Sequence, residues 1–228
     1  LSLATTHTQA RYVLPPVITE FRRHHPSVDL NLHQGTSEQI AEMVAADRVQ
    51  LAIATGSEAL FNDMVLLPVY RWHRQVVVPR KHPLTRSARL TLAQLAAFPL
   101  VTYVFSFSGQ SSLQQIFARA DLSPKIALTA RDSDVIKTYV RLGLGVGIVA
   151  SVALDPREDS DLVALDAAHL FPIHTTWVGF RRGTRLREHT YDFLAFFGPH
   201  LSRRLIDRAS VDPTRIPELF RRLVLPVR

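Results

Sequence analysis

The chain has no cysteine in its 228 residues, which excludes disulfides and thiolate metal sites and fits a reducing compartment. No apolar run approaches the roughly 20 residues that span a bilayer, so a membrane partner is not expected. The opening "LSLATTHTQ" lacks the charged, apolar and cleavage regions of a signal peptide. It also lacks an initiating methionine, which leads us to expect a piece of a longer protein. No G-x-S-x-G elbow occurs, and the residues around His7 offer no carboxylate to orient it as a base, so an enzyme is not expected. His24 and His25 are adjacent and diverge on a helix, a poor geometry for a metal. Neither a metal nor a cofactor is expected.

The apolar share of 46% is ample for one large domain or two small ones. The formal charge of +7 is scattered in pairs: Arg22 and Arg23, Arg80 and Lys81, Arg181 and Arg182, Arg203 and Arg204, Arg221 and Arg222. No stacking platform of aromatic and basic residues accompanies them. The charge therefore reads as a solvated surface, with direct nucleic-acid contact as the alternative.

Strands and helices alternate along the chain. Residues 1–6 read as a strand, and Leu14, Val17, Ile18 and Phe21 mark a helix face that ends before Pro26. "VDLNLHQG" alternates as a strand does; Thr36 and Gln39 stand at capping-box spacing before a helix with Ile40, Met43 and Val44; "LAIATG" is a third strand. The order returns later: strand "PLVTYVF", turn "SFSGQSS", helix "SLQQIFARA", strand "KIALTA", helix "DSDVIKTYVRLG" with Val135, Ile136, Tyr139, Val140 and Leu142, strand "VGIVAS". Two βαβαβ units predict two similar α/β lobes with largely parallel sheets. "GLGVGIVA" ends a helix and starts a strand, the reverse of a dinucleotide loop, so Gly143 reads as a helix C-terminal glycine.

The turns after the first strand of each unit, "TTHTQ" and "SFSGQSS", are both rich in hydroxyls and amides and both lead into a helix. Such residues cap helices, and they also donate hydrogen bonds without carrying charge. In open parallel sheets ligands bind outside the carboxyl ends of strands. If the lobes face each other, Thr6, Thr8, Gln9, Thr55 and Ser108 converge on one cleft suited to a small anionic or zwitterionic ligand. The tail carries Tyr191, Leu194 and Phe197 on a helical face, then Leu219, Phe220, Leu223 and Leu225, a strip expected to pack on its own lobe or serve a subunit contact.

"ATTHTQARYVLP", "HQGTSEQIAEMV", "HPL", "DSDVIKTYVRLGLGVGIVAS" and "HTTWVGFRR" together resemble the effector-binding domain of the LysR-type transcriptional regulators, most closely the CysB and Cbl branch. The resemblance implies two Rossmann-like lobes joined by two crossover strands, as in type 2 periplasmic binding proteins, with lobe I over 1–71 and 175–228 and lobe II over 72–174. It implies that Thr6, Thr8, Gln9, Thr55 and Ser108 contact sulfate, thiosulfate, N-acetylserine or O-acetylserine; at Ser108 the branch pattern has threonine. It further implies a cytoplasmic protein whose winged helix-turn-helix DNA-binding domain precedes this chain. This part would form a homodimer and the intact regulator of sulfur assimilation a homotetramer. The rival reading is an oxyanion-binding protein of the same fold with no transcriptional role.

Overall fold

The computed structural model describes residues 1–56, 58–107, 113–221 and 223–228. In chain order the elements are β1 (Ser2–Thr5), α1 (Leu14–His24), β2 (Asn31–Gln34), α2 (Ser37–Ala45), β3 (Leu51–Thr55), β4 (Met64–Trp72), β5 (Arg74–Pro79), α3 (Leu92–Ala96) and β6 (Leu100–Tyr103). There follow α4 (Leu113–Ala118), β7 (Ile126–Ala130), α5 (Ser133–Arg141), β8 (Val146–Ala150), β9 (Leu162–Asp166), β10 (His174–Arg181), α6 (Glu188–Phe197), α7 (Arg203–Val211) and α8 (Ile216–Phe220). They form two compact α/β units, Leu1–Arg71 with His174–Arg228, and Trp72–Ile173. Each unit is built on a five-stranded sheet, ordered β2-β1-β3-β10-β4 in the first and β7-β6-β8-β5-β9 in the second. Among the described residues no helix is long and apolar enough to cross a membrane.

In the first unit β1 pairs in parallel with β2 and β3, and β10 enters antiparallel beside β3. Leu51, Ala52, Ile53 and Ala54 are all fully buried, the continuous apolar run of a strand covered on both faces. The alternation through Val28 predicts a longer β2, but Val28 closes a turn onto the His25 carbonyl and the strand starts at Asn31. The Thr36 and Gln39 capping box forms as read, with both reciprocal bonds at 3.3 and 3.0 Å. Entry into α1 is not regular: Gln9–Val13 is a π-helical turn in which the Leu14 N–H reaches back to the Gln9 carbonyl. Pro15 and Pro16 have no N–H to donate to the preceding turn, so the ordinary ladder cannot run through them and the backbone widens.

The tail packs back on its own unit. Phe220 and Leu225 are buried, whereas Leu223 stays exposed. Arg71 donates to the Pro226 carbonyl at 2.8 Å, and the Arg228 N–H donates to the Arg71 carbonyl at 2.9 Å. These bonds close part of the open edge of β4, which would otherwise offer unpaired groups to another chain.

In the second unit β6 lies parallel to β7 and β8, while β5 is antiparallel to β8 and β9. Val76 and Val78 face a layer containing Leu95, Leu113 and Phe117, and Val77 faces one containing Ile136 and Val140, as the strand period of two requires. The strand read through "PLVTYVF" stops at Tyr103. Val104–Phe107 instead makes a 3-10 turn, with Phe105 stacked on Tyr103 at 4.6 Å. The buried face of α5 is Ser133, Ile136, Lys137 and Val140; Val135, Tyr139 and Leu142, read as apolar face, are exposed. Gly143 ends this helix at φ 77° in the left-handed region, as expected of a C-terminal glycine.

Gly145 sets how closely β8 can approach β6. A Cβ there would lie 2.3 Å from the Pro99 carbonyl oxygen, which accepts the Val146 N–H at 2.8 Å. Because the obstacle is backbone, Gly145→Ala is expected to cost about 1–3 kcal/mol by overpacking. The urea midpoint is the measure, and an unchanged midpoint would rule out this close approach.

Candidate functional site

The carboxyl ends of β1 and β3 meet the start of β10 in the first unit, because Thr176 lies directly opposite Thr55 in the antiparallel register. The two hydroxyls are 2.8 Å apart. The Gln9 Nε2 donates to the Thr176 Oγ1 at 3.4 Å, and the Tyr70 hydroxyl of β4 donates to the Gln9 Oε1 at 2.5 Å. Tyr70 and Thr176 are fully buried and Gln9 nearly so. The result is a chain of neutral groups, Tyr70 to Gln9 to Thr176 and Thr55, crossing three strands and the π-helical turn.

Burial pushes the Tyr70 hydroxyl up to about 12, against the opposing effects of Thr176, Gln9 and the Arg228 charge. Tyr70 therefore stays a protonated donor at neutral pH and dictates which end of the Gln9 amide accepts. The indole N–H of Trp177 donates to the Gly56 carbonyl at 3.2 Å and pins the turn after β3. Thr6 and Thr8 are half-buried at the end of β1. Thr8 occupies the capping position of the π-helical turn, yet its side chain makes no capping bond.

The sequence-predicted residues thus divide. Gln9 and Thr55 are joined through Thr176; Thr6 and Thr8 lie beside them on the same turn; Ser108 is outside the described residues. In the second unit the ends of β6 and β8 are also polar. The Tyr103 hydroxyl accepts the Ala150 N–H at 3.1 Å and meets the Ser133 Oγ at 2.6 Å. The Thr102 hydroxyl donates to the Ile148 carbonyl at 3.0 Å. Sequence reasoning missed Tyr70 and Thr176. Their only signal is that both sit in the strands flanking the predicted lobe boundary, where an antiparallel β10 brings them to the ends of β1 and β3.

The LysR substrate binding domain model matches residues 1–202. The transcriptional regulator CysB of Haemophilus influenzae is 46% identical over all of this chain and 71% of its own length. SsuR of Burkholderia cenocepacia is 48% identical over 89% of this chain and 66% of its own. The chain thus spans about two thirds of the length of these relatives, which are regulators of transcription rather than enzymes. The crystal structure of the cofactor-binding domain of the Cbl transcriptional regulator superimposes with a TM-score of 0.86 at 42% identity, covering 93% of each chain. The chain belongs to the LysR family of transcriptional regulators, of which it is the effector-binding domain.

Proposed function

We propose that this domain senses sulfate, thiosulfate, N-acetylserine or O-acetylserine at Thr6, Thr8, Gln9 and Thr55 of the first unit. The intact regulator then controls sulfur-assimilation genes. The observation that carries this reading is the Tyr70, Gln9, Thr176 and Thr55 chain, beside which the Thr8 hydroxyl is not spent on capping. Neutral donors at strand ends and helix starts hold an anion without a salt bridge, and their buried mutual bonds fix them in place before a ligand arrives.

In the intact protein, recognition of DNA falls to a winged helix-turn-helix preceding this chain. This part pairs as a homodimer within a cytoplasmic homotetramer. Regulation follows by linkage: a ligand that binds one arrangement of subunits better than another shifts the balance between them. The proposal is tested by calorimetric titration of this chain with the four ligands. Saturable heat is expected for at least one, and Thr8→Ala should weaken it by about 1 kcal/mol or more, the scale of one hydrogen bond. No heat with any of them in the folded chain would refute the reading, and an unchanged Thr8→Ala affinity would move the site elsewhere.

A further inference from the structure

Among the described residues the second unit holds two buried cations, and they are treated differently. Lys137, at the buried face of α5, has the Asp159 carboxylate at 2.7 Å. Arg74, the first residue of β5, is only 3% exposed and pairs with no carboxylate among the described residues. One of its terminal nitrogens donates to the Ser106 hydroxyl at 3.0 Å, while its Nε is buried without a partner. A guanidinium withdrawn from water with an unused donor is costly unless an acceptor is supplied. Burial pushes Arg74 down to about 10, opposed by Tyr103, which leaves it positive at neutral pH.

Its position is that of a ligand group. Arg74 pairs with Ala150 at the carboxyl end of β8, next to the carboxyl end of β6, where open α/β sheets receive ligands. The Val104–Phe107 turn carries Ser106 over the guanidinium while leaving Val104 and Phe105 more than half exposed, at 52% and 53%, so the cover is thin. We infer that Arg74, with Ser106, forms an anion subsite made of second-unit residues alone, which takes the carboxylate or tetrahedral oxyanion group of a small molecule. The planar fork of arginine suits either group in a two-point bond. This subsite does not depend on the hydroxyls of the first unit.

The test follows the ¹⁵N resonance of the Arg74 Nε–H, assigned by its loss in Arg74→Lys, while the chain is titrated at constant ionic strength with sodium sulfate and, separately, sodium acetate. A saturable shift is expected, with the lower midpoint identifying oxyanion or carboxylate as the preferred group. The same shift should persist in Thr8→Ala. In the Thr8→Ala background, adding Arg74→Met should remove the sulfate-induced rise in Tm that Thr8→Ala alone retains, while Arg74→Met by itself melts no lower without anion than the unaltered chain. A resonance that moves with neither anion overturns the subsite, as does a shift abolished by Thr8→Ala. An Arg74→Met chain that melts lower without anion, yet still responds to sulfate in the Thr8→Ala background, would make Arg74 a strut for Ser106 instead.

Discussion

Asp159→Ala is expected to destabilise the second unit by about 3–5 kcal/mol, the scale for leaving a buried charge without its partner. The Lys137 ammonium is 2% exposed and bonds the Asp159 Oδ2 at 2.7 Å and the Ala153 carbonyl at 3.0 Å. The same carboxylate accepts the Asp155 N–H at 2.9 Å and an Arg141 N–H at 2.8 Å. Removing it takes the nearest carboxylate from the ammonium, leaving the Ala153 carbonyl and the more distant Asp134 at 3.8 Å, and takes an acceptor from two further donors. Burial works to raise the Asp159 carboxyl, but Lys137, the Asp155 N–H and Arg141 outweigh it and hold the group below its ordinary value. A depressed carboxyl contributes stability that is complete above the unfolded value, about 3.9, and is lost as pH falls through the folded one. Urea midpoints measured at neutral pH and then downwards from about pH 4 should fall steeply for the unaltered chain and less so for Asp159→Ala. Replacing Lys137 by Met and Asp159 by Leu together should recover most of the loss, because the pair's worth is largely offset by its desolvation. A single Asp159→Ala substitution that leaves the midpoint in place would show that Lys137 is not buried as described.

Gln9→Ala is expected to cost about 2–3 kcal/mol in the absence of any ligand, from a stranded Tyr70 hydroxyl and the cavity left behind. Tyr70, fully buried, donates its one hydroxyl proton to Gln9, whereas Thr176 keeps its Thr55 contact at 2.8 Å. Gln9→Glu retains an acceptor for Tyr70 but cannot donate to Thr176 and brings a negative charge next to the proposed anion, so it should abolish binding as well. Thermal melts of the ligand-free chain separate the two roles. A lower Tm for Gln9→Ala identifies the side chain as a strut, and an unchanged Tm removes that role. For this reason Thr8→Ala, not Gln9→Ala, is the cleaner probe of ligand contact.

The βαβαβ order was legible because its cues are local: the apolar run of β3, the reciprocal Thr36 and Gln39 cap, the glycine after α5. What escaped depends on partners distant in sequence. Lys137 follows Ile136 on the buried face of α5, and it is Asp159, on a loop beyond β8, that makes this burial tolerable. Tyr70 reads as one more residue of an apolar strand until β10 arrives antiparallel and sets Thr176 against Thr55. Val104 and Phe105 look like strand because they are apolar, yet they enter a 3-10 turn in which the ring of Phe105 stacks on Tyr103. At the candidate site the hydroxyl-rich turn was visible in the letters, but the π-helical widening that shapes it follows from Pro15 and Pro16 beyond the turn itself.

The division of the first unit into two stretches of chain has a consequence for synthesis. β10 lies between β3 and β4, so that sheet stays open in the middle until His174 has left the ribosome. The second unit, continuous from Trp72 to Ile173, has all its strands available earlier and can collapse first. During that interval β3 and β4 expose adjacent unpaired edges, a state prone to capture by other chains. The Gln9 to Thr176 bond, which spans 167 positions, can close only after β10 has emerged, later than the contacts among β1, β2 and β3.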